Sequence, residues 1–408
     1  MGNDQGRLWH LLRVLAFAKR LAQQSRAVRV LITSGSLDVV GGVQAYVRDL
    51  AAWLLAHGHA PIVYGPRHGR AAAQLGRLTV PLTDDLASLG LAPDVIHGNS
   101  VVEAMTALLH FAQTPAIFVC HGWRADVSAP RFPRILRYVA VDDTCADRLT
   151  FKEGIPPEKL EVLLNAVDVA RFRPRATPLP PRPRRALIFG NAAHAATHVA
   201  VVEQACKRAG IEVDVVGELA GTAVEAPESI LGQYDLIFAK AKCALEAMAS
   251  GAAVIVCEGS GLAGMVSSAN VARLRRLNFG IRSLTTPLTV DTVSQAIAAY
   301  DSDDAATVSK LIRETASSDT LHRQLLALYQ AVAEEYAGGA GRASWPEESR
   351  AAAAFLRSFA EASRPSESNL NLVAQAVHRI LRAPVLGPAL TGMARWVVNR
   401  GKDERAVR

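Results

Sequence analysis

Lysine is scarce in this sequence: eight of 408 residues, beside 37 arginines. Aromatic residues are few, at 6%. No apolar run reaches about eighteen residues, which excludes a conventional membrane-spanning helix. The five cysteines, Cys120, Cys145, Cys206, Cys243 and Cys257, form no CxxC pair. That argues against a disulfide framework and against a zinc ribbon, and suits a reducing cytoplasm. No GxGxxG follows a strand, so a nicotinamide-binding fingerprint is not supported. No paired-carboxylate hydrolase motif is evident, which counts against a glycosidase.

What is present is a globular composition. Half of the residues are hydrophobic and 20% are charged, which excludes disorder as a whole. A length of 408 residues suggests two domains. The net charge of +7 suits an anionic substrate or membrane surface and by itself selects neither.

Residues 6–26 read as a helix with Leu8, Leu11, Leu12 and Leu15 on one stripe, interrupted by Arg7, Arg13, Lys19 and Arg20. No cleavage site for secretion follows it. It is either packed on the domain or interfacial on anionic lipid. From Val28 the pattern alternates. Short apolar strands are expected at 28–32, 60–64, 94–97, 116–119 and 138–141, with helices at 43–57 and 101–112. Five prolines between Pro174 and Pro183 read as a stiff linker. The pattern restarts with strands at 186–189, 212–216, 236–238 and 253–257 and helices at 197–209 and 244–250. Helices follow at about 290–313, 320–336 and 346–362, and a basic tail at 366–408 carries Leu370, Val373 and Val377 at helical spacing.

The expected organisation is therefore a helical segment 1–26, a first Rossmann-like domain 27–172 and a linker 173–185. A second Rossmann-like domain 186–337 and a helical tail 338–408 complete it. The fold class is α/β: two doubly wound parallel sheets facing a cleft. In such sheets ligands sit beyond the carboxyl ends of the strands, so the loops there carry the candidate chemistry.

Four loops stand out. Gly35, Gly41 and Gly42 precede a helix, where glycine permits close backbone approach and free N–H groups favour anions. His121 directly follows an expected strand, where an imidazole can polarise a hydroxyl or hold a sugar oxygen; its other reading is a structural histidine. Asn165 and Asp168, in Leu164-Asn165-Ala166-Val167-Asp168, read alone as a turn. Lys240 and Lys242, two of only eight lysines, stand at an expected helix start one turn before Glu246. Lysine there opposes the helix dipole unless an anion is also bound, so a phosphate ligand fits; simple solvation is the other reading.

Together, these segments resemble the two-Rossmann-domain, nucleotide-sugar-dependent glycosyltransferases, close to family 4, over about residues 28–337. Gly41-Gly42-Val43 with Tyr46 and Leu50, Asn165-Ala166-Val167-Asp168 with Arg171-Phe172-Arg173-Pro174, and Leu245-Glu246-Ala247-Met248-Ala249-Ser250-Gly251 carry the resemblance. It implies a metal-independent, retaining transferase without a cofactor. The donor would be a nucleoside-diphosphate sugar and the acceptor a hydroxyl on a saccharide, a lipid-linked sugar or a small metabolite. Polysaccharide biosynthesis in the cytoplasm, with peripheral contact to an anionic inner membrane face and none to nucleic acid, is the corresponding setting.

The resemblance also implies roles. Glu246 holds the donor ribose and His121 stands at the acceptor and donor-sugar side. Gly41 and Gly42 approach the diphosphate, Asn165 lines the cleft, and Gly261 and Leu262 approach the donor. Two departures stand against it. The family's first acid, eight positions before the second, is Phe238 here. The segment that clamps the diphosphate reads Gly190-Asn191-Ala192-Ala193-His194-Ala195-Ala196, without its two cations. Lys240 or Lys242 is the expected replacement, with His194 and His198 next. The alternatives are a nucleotide-sugar epimerase and a catalytically silent relative acting as a binding module.

Overall fold

The computed structural model describes residues 27–123 and 128–362. The expectations for 1–26 and 366–408 lie outside the described residues. Apolar strand segments assemble into two sheets. The first contains β1 (Arg29–Thr33), β2 (Ala60–Tyr64), β3 (Leu82–Thr83), β4 (Val95–Gly98), β5 (Ala116–Cys120), β6 (Ile135–Ala140) and β7 (Leu160–Val162). Their order is β3-β2-β1-β4-β5-β6-β7, and every pairing is parallel. Helices α1 (Gly42–Ala56), α2 (Arg70–Arg77), α3 (Val101–His110) and α4 (Asp143–Asp147) connect them.

The second sheet contains β8 (Arg185–Phe189), β9 (Glu212–Val216), β10 (Leu236–Ala239), β11 (Ala253–Glu258) and β12 (Gly261–Met265) in the order β12-β11-β10-β8-β9. Its helices are α5 (Ala200–Ala209), α6 (Ala241–Ala249), α7 (Val271–Arg276), α8 (Val290–Ala298) and α9 (Ser302–Thr315). Successive strand residues point to opposite faces, and both faces are covered. Ala186, Ile188, Leu236, Phe238, Ala253 and Ile255 pack under α5 and α8. Leu187, Ile237, Val254 and Val256 pack under α6 and α9. Both sheets are therefore doubly wound, as the alternation of strands and helices predicts.

Several elements differ from the expectation. Gly261 and Leu262 lie in a strand rather than a loop: they open β12, which pairs antiparallel with β11. Leu262 is buried in the core, and a Cβ on Gly261 would stand 2.9 Å from the Leu284 carbonyl. Glycine is needed there for strand packing. The helical stretch 290–313 breaks because the Asp301 carboxylate accepts from the Asp303 and Asp304 amides and caps α9. The proline segment is no free spacer. The Arg175 amide donates to Ser250 O at 3.0 Å, its guanidinium pairs with Asp235 at 3.1 Å, and Tyr300 donates to Pro180 O at 2.9 Å.

The expected domain 186–337 also loses its last helix to the first sheet. Helix α10 (Ser318–Ala337) packs across α1, β4 and β5. Tyr329, fully buried, hydrogen bonds His97 of β4, and Trp53 of α1 donates to Asp319 at 2.8 Å. The described residues up to Ala352 form one compact unit; the second begins at Ala353, within α11 (Trp345–Ala362). Among the described residues, no helix is long and apolar enough to cross a membrane.

Candidate active site

The strand orders place a topological switch point in each sheet, between β1 and β4 and between β8 and β10. Crossovers leave in opposite directions there, which opens a crevice at the strands' carboxyl ends. One cavity, of about 140 Å³, lies between the two crevices. Gly41 and Gly42 line it from the loop after β1, Phe189 and Asn191 from the end of β8, and Lys242, Cys243 and Glu246 from α6 after β10. Asn191 Nδ2 donates to Val40 O at 3.0 Å and ties the two loops together.

The first wall is the start of α1. Gly41 caps it without a side-chain hydrogen bond, so the first-turn amides stay available to an anion. A Cβ on Gly42 would meet nothing within 4 Å, so packing does not demand glycine there.

The opposite wall is α6. It begins at Ala241, three residues earlier than the sequence suggests, because β10 passes into it through Lys240 alone. Ala241 takes a left-handed backbone, φ 51°, to make that turn. Ala244, Leu245, Ala247 and Met248 pack into the core, which leaves Glu246 at the cavity with only 8% of its surface exposed. Burial pushes its carboxyl up to about 7, against the pull of Lys242, Arg171 and Arg48.

The two lysines diverge. Lys240 pairs with Glu258 at 2.5 Å and does not line the cavity. Lys242 lines it and reaches Asp49 of α1 at 3.0 Å. Arg48, whose guanidinium binds the same Asp49 carboxylate, lines the cavity with Arg70 and Arg171. Arg171 pairs with Glu228 at 2.8 Å. Four cations thus surround the cavity, with Glu218, Glu225 and Glu246 as the acids.

His121 belongs to a separate group at the ends of β4 and β5. Asn99 Nδ2 donates to Thr33 O at 3.0 Å, which turns Asn99 Oδ1 toward two imidazoles. His121 Nε2 donates to Oδ1 at 2.7 Å and His97 Nε2 at 3.2 Å. The Tyr329 hydroxyl then donates to His97 Nδ1 at 2.6 Å. This fixes the tautomers and leaves His121 Nδ1 as an acceptor. Desolvation holds His121 near 4 and His97 near 3, so both are neutral at pH 7.

The cavity therefore gathers Gly41, Gly42, Asn191, Lys242 and Glu246; His121, Asn165, Lys240, Gly261 and Leu262 do not line it. The Asn165 amide donates to Val141 O at 3.3 Å. His198 is buried near Lys240 and Glu258, also outside the cavity. Phe238, at the first acid's position, is fully buried in β10. Sequence reasoning missed Arg48, Arg70 and Asn99. Asn99 had a positional signal, one residue past β4; Arg48 flanks the apolar stripe of α1; Arg70 had none.

Residues 40–171, roughly a third of the chain, match the family model Glycosyltransferase Family 4. A search of curated proteins finds no match. A glycosyltransferase from Rickettsia africae ESF-5 is 15% identical, covering 75% of this chain and 99% of its own, with a TM-score of 0.55. The lipopolysaccharide outer core galactosyltransferase WaaB, in its apo form, is 12% identical over 73% and 98%, with a TM-score of 0.45. A UDP-N-acetylglucosamine 2-epimerase is 13% identical over 74% and 95%, with a TM-score of 0.43. At these identities likeness shows fold alone, and the Rickettsia structure shows it. Residues 40–171 thus resemble glycosyltransferase family 4, and the chain has a fold of two Rossmann-type sheets like that of the Rickettsia structure.

Proposed function

We propose that the chain transfers a sugar from a nucleoside-diphosphate donor to a hydroxyl acceptor, with retention of anomeric configuration and without a metal. The observation that carries this reading is the convergence of Gly41, Gly42, Lys242 and Glu246 on one cavity at both switch points. Ionised Glu246 accepts hydrogen bonds from the ribose hydroxyls. The α1 amides and Lys242 face the diphosphate, whose charge grows as the leaving group departs. His121 Nδ1, a neutral acceptor, orients a hydroxyl on the sugar or acceptor side. The test is transfer from a panel of nucleotide sugars to a panel of hydroxyl acceptors in EDTA. Product with an acceptor supports the reading; product from the donor alone indicates an epimerase.

A second reading, a silent relative that binds without transfer, is favoured by the burial of Phe238. A wild type that neither binds nor turns over any nucleotide sugar supports it. Cytoplasmic placement at an anionic membrane face belongs to the main proposal and rests on the basic, leucine-striped residues 6–26 and the tail 366–408. Salt-sensitive flotation on anionic vesicles tests it; no flotation at low salt rejects it.

A further inference from the structure

The loop after β9, residues 217–226, closes the cavity from the second sheet's side and is tied to α2 by two ion pairs. Arg70 pairs with Glu218, and Arg77 lies 3.5 Å from Glu225. Glu218, Ala223, Val224 and Glu225 of this loop line the cavity, as does Arg70. Its volume of about 140 Å³ is well below the roughly 300 Å³ at which pockets for drug-sized ligands begin. The adjoining cavity, of about 620 Å³, shares Arg48, Gln74, Arg171 and Glu225 with it, so a nucleotide sugar placed here lies against the cross-cleft contacts.

The contacts differ in how readily they part. Lys242 and Asp49 are both 19% exposed, and Asp49 is held by Arg48 as well. Arg70 and Glu218 are 53% and 32% exposed, a pair that water screens and that costs little to separate. The other cavity arginines are engaged elsewhere: Arg48 with Asp49 and Gln74, Arg171 with Glu228 and the Phe172 ring. Among the described residues, Glu218 is the only group the Arg70 guanidinium pairs with.

Resting on the donor reading above, we propose that Arg70 is a donor-diphosphate cation and that Glu218 occupies its place while the cleft is empty. A carboxylate and a phosphate offer a guanidinium the same pair of oxygens, so one replaces the other without rebuilding the site. The diphosphate brings more negative charge than the carboxylate it displaces. The exchange also answers the missing cations of the Gly190–Ala196 segment: the charge arrives from α2, on the opposite side of the cleft.

The test is calorimetric titration of ADP, GDP, UDP and CDP into the wild type, Glu218→Gln, Arg70→Gln and Arg70→Lys, with the matching nucleosides as controls. The best-bound diphosphate should lose about tenfold in affinity in Arg70→Gln. It should lose less in Arg70→Lys, and gain about threefold or more in Glu218→Gln as the competitor goes. Nucleoside affinity should be the same in all four proteins. If the wild type binds a diphosphate and Arg70→Gln binds it equally, or Glu218→Gln gains nothing, the assignment is overturned alone. If the wild type binds none of the four, the donor reading falls and the assignment with it.

Discussion

The Lys242 ammonium and the Asp49 carboxylate, 193 residues apart in sequence, meet at 3.0 Å across the cleft. The pair joins the second turn of α1 to the first turn of α6, the two helices that flank the cavity. Asp49 is driven below the usual carboxylate range: burial opposes ionisation, and Lys242 and Arg48 outweigh it. Lys242 is thus held half-buried at the cavity, beside the place where a diphosphate is proposed to bind.

This geometry separates the two lysines. Lys242→Ala should lower turnover about tenfold or more, because a contact with a developing charge strengthens in the transition state. Lys240→Ala, which breaks the pair with Glu258, should stay within about threefold of the wild type. Steady-state kinetics on both variants decides the point. Equal losses, or a larger loss at Lys240, would place the leaving-group cation elsewhere.

Glu246 sets a pH dependence of stability. Burial raises its carboxyl from 4.5 to about 7 in the folded chain. Below about pH 4.5 both states hold the proton. Between 4.5 and about 7 the unfolded chain releases it while the folded chain keeps it, so this group's contribution to stability falls as pH rises through that window. Glu246→Gln removes the effect. Its stability relative to the wild type should therefore rise from pH 5 to pH 8, by on the order of 2–3 kcal/mol. Urea unfolding at the two pH values measures this. A difference that does not change with pH would show that the carboxyl is hydrated and ordinary.

Much of the architecture was legible because parallel strands buried on both faces leave continuous apolar runs. Ala186–Phe189 and Ala253–Cys257 are such runs, and both are strands. What escaped has physical reasons. The strand β12, Gly261–Met265, holds two glycines in five residues and depends on pairing with β11 rather than on its own propensity. The return of α10 to the first sheet rests on Tyr329 and His97, 232 residues apart, and no local period encodes such a contact.

The cavity was half legible. Glu246 was found from its motif and Lys242 from the rarity of lysine, whereas Arg70 and Glu218, 148 residues apart, acquire meaning only once two loops meet. Gly261 and Leu262 open β12 and do not line this cavity, and glycine serves tight strand packing as well as ligand approach.

The most direct test of the account is the affinity of nucleoside diphosphates for the wild type and for Glu246→Ala, measured by calorimetry at pH 8, where Glu246 is ionised. The account predicts that at least one diphosphate binds the wild type. It also predicts that the loss of the ribose contact weakens that binding by about tenfold or more, with thermal unfolding still cooperative. A wild type that binds no nucleoside diphosphate, or a Glu246→Ala variant that binds one with unchanged affinity, would contradict it.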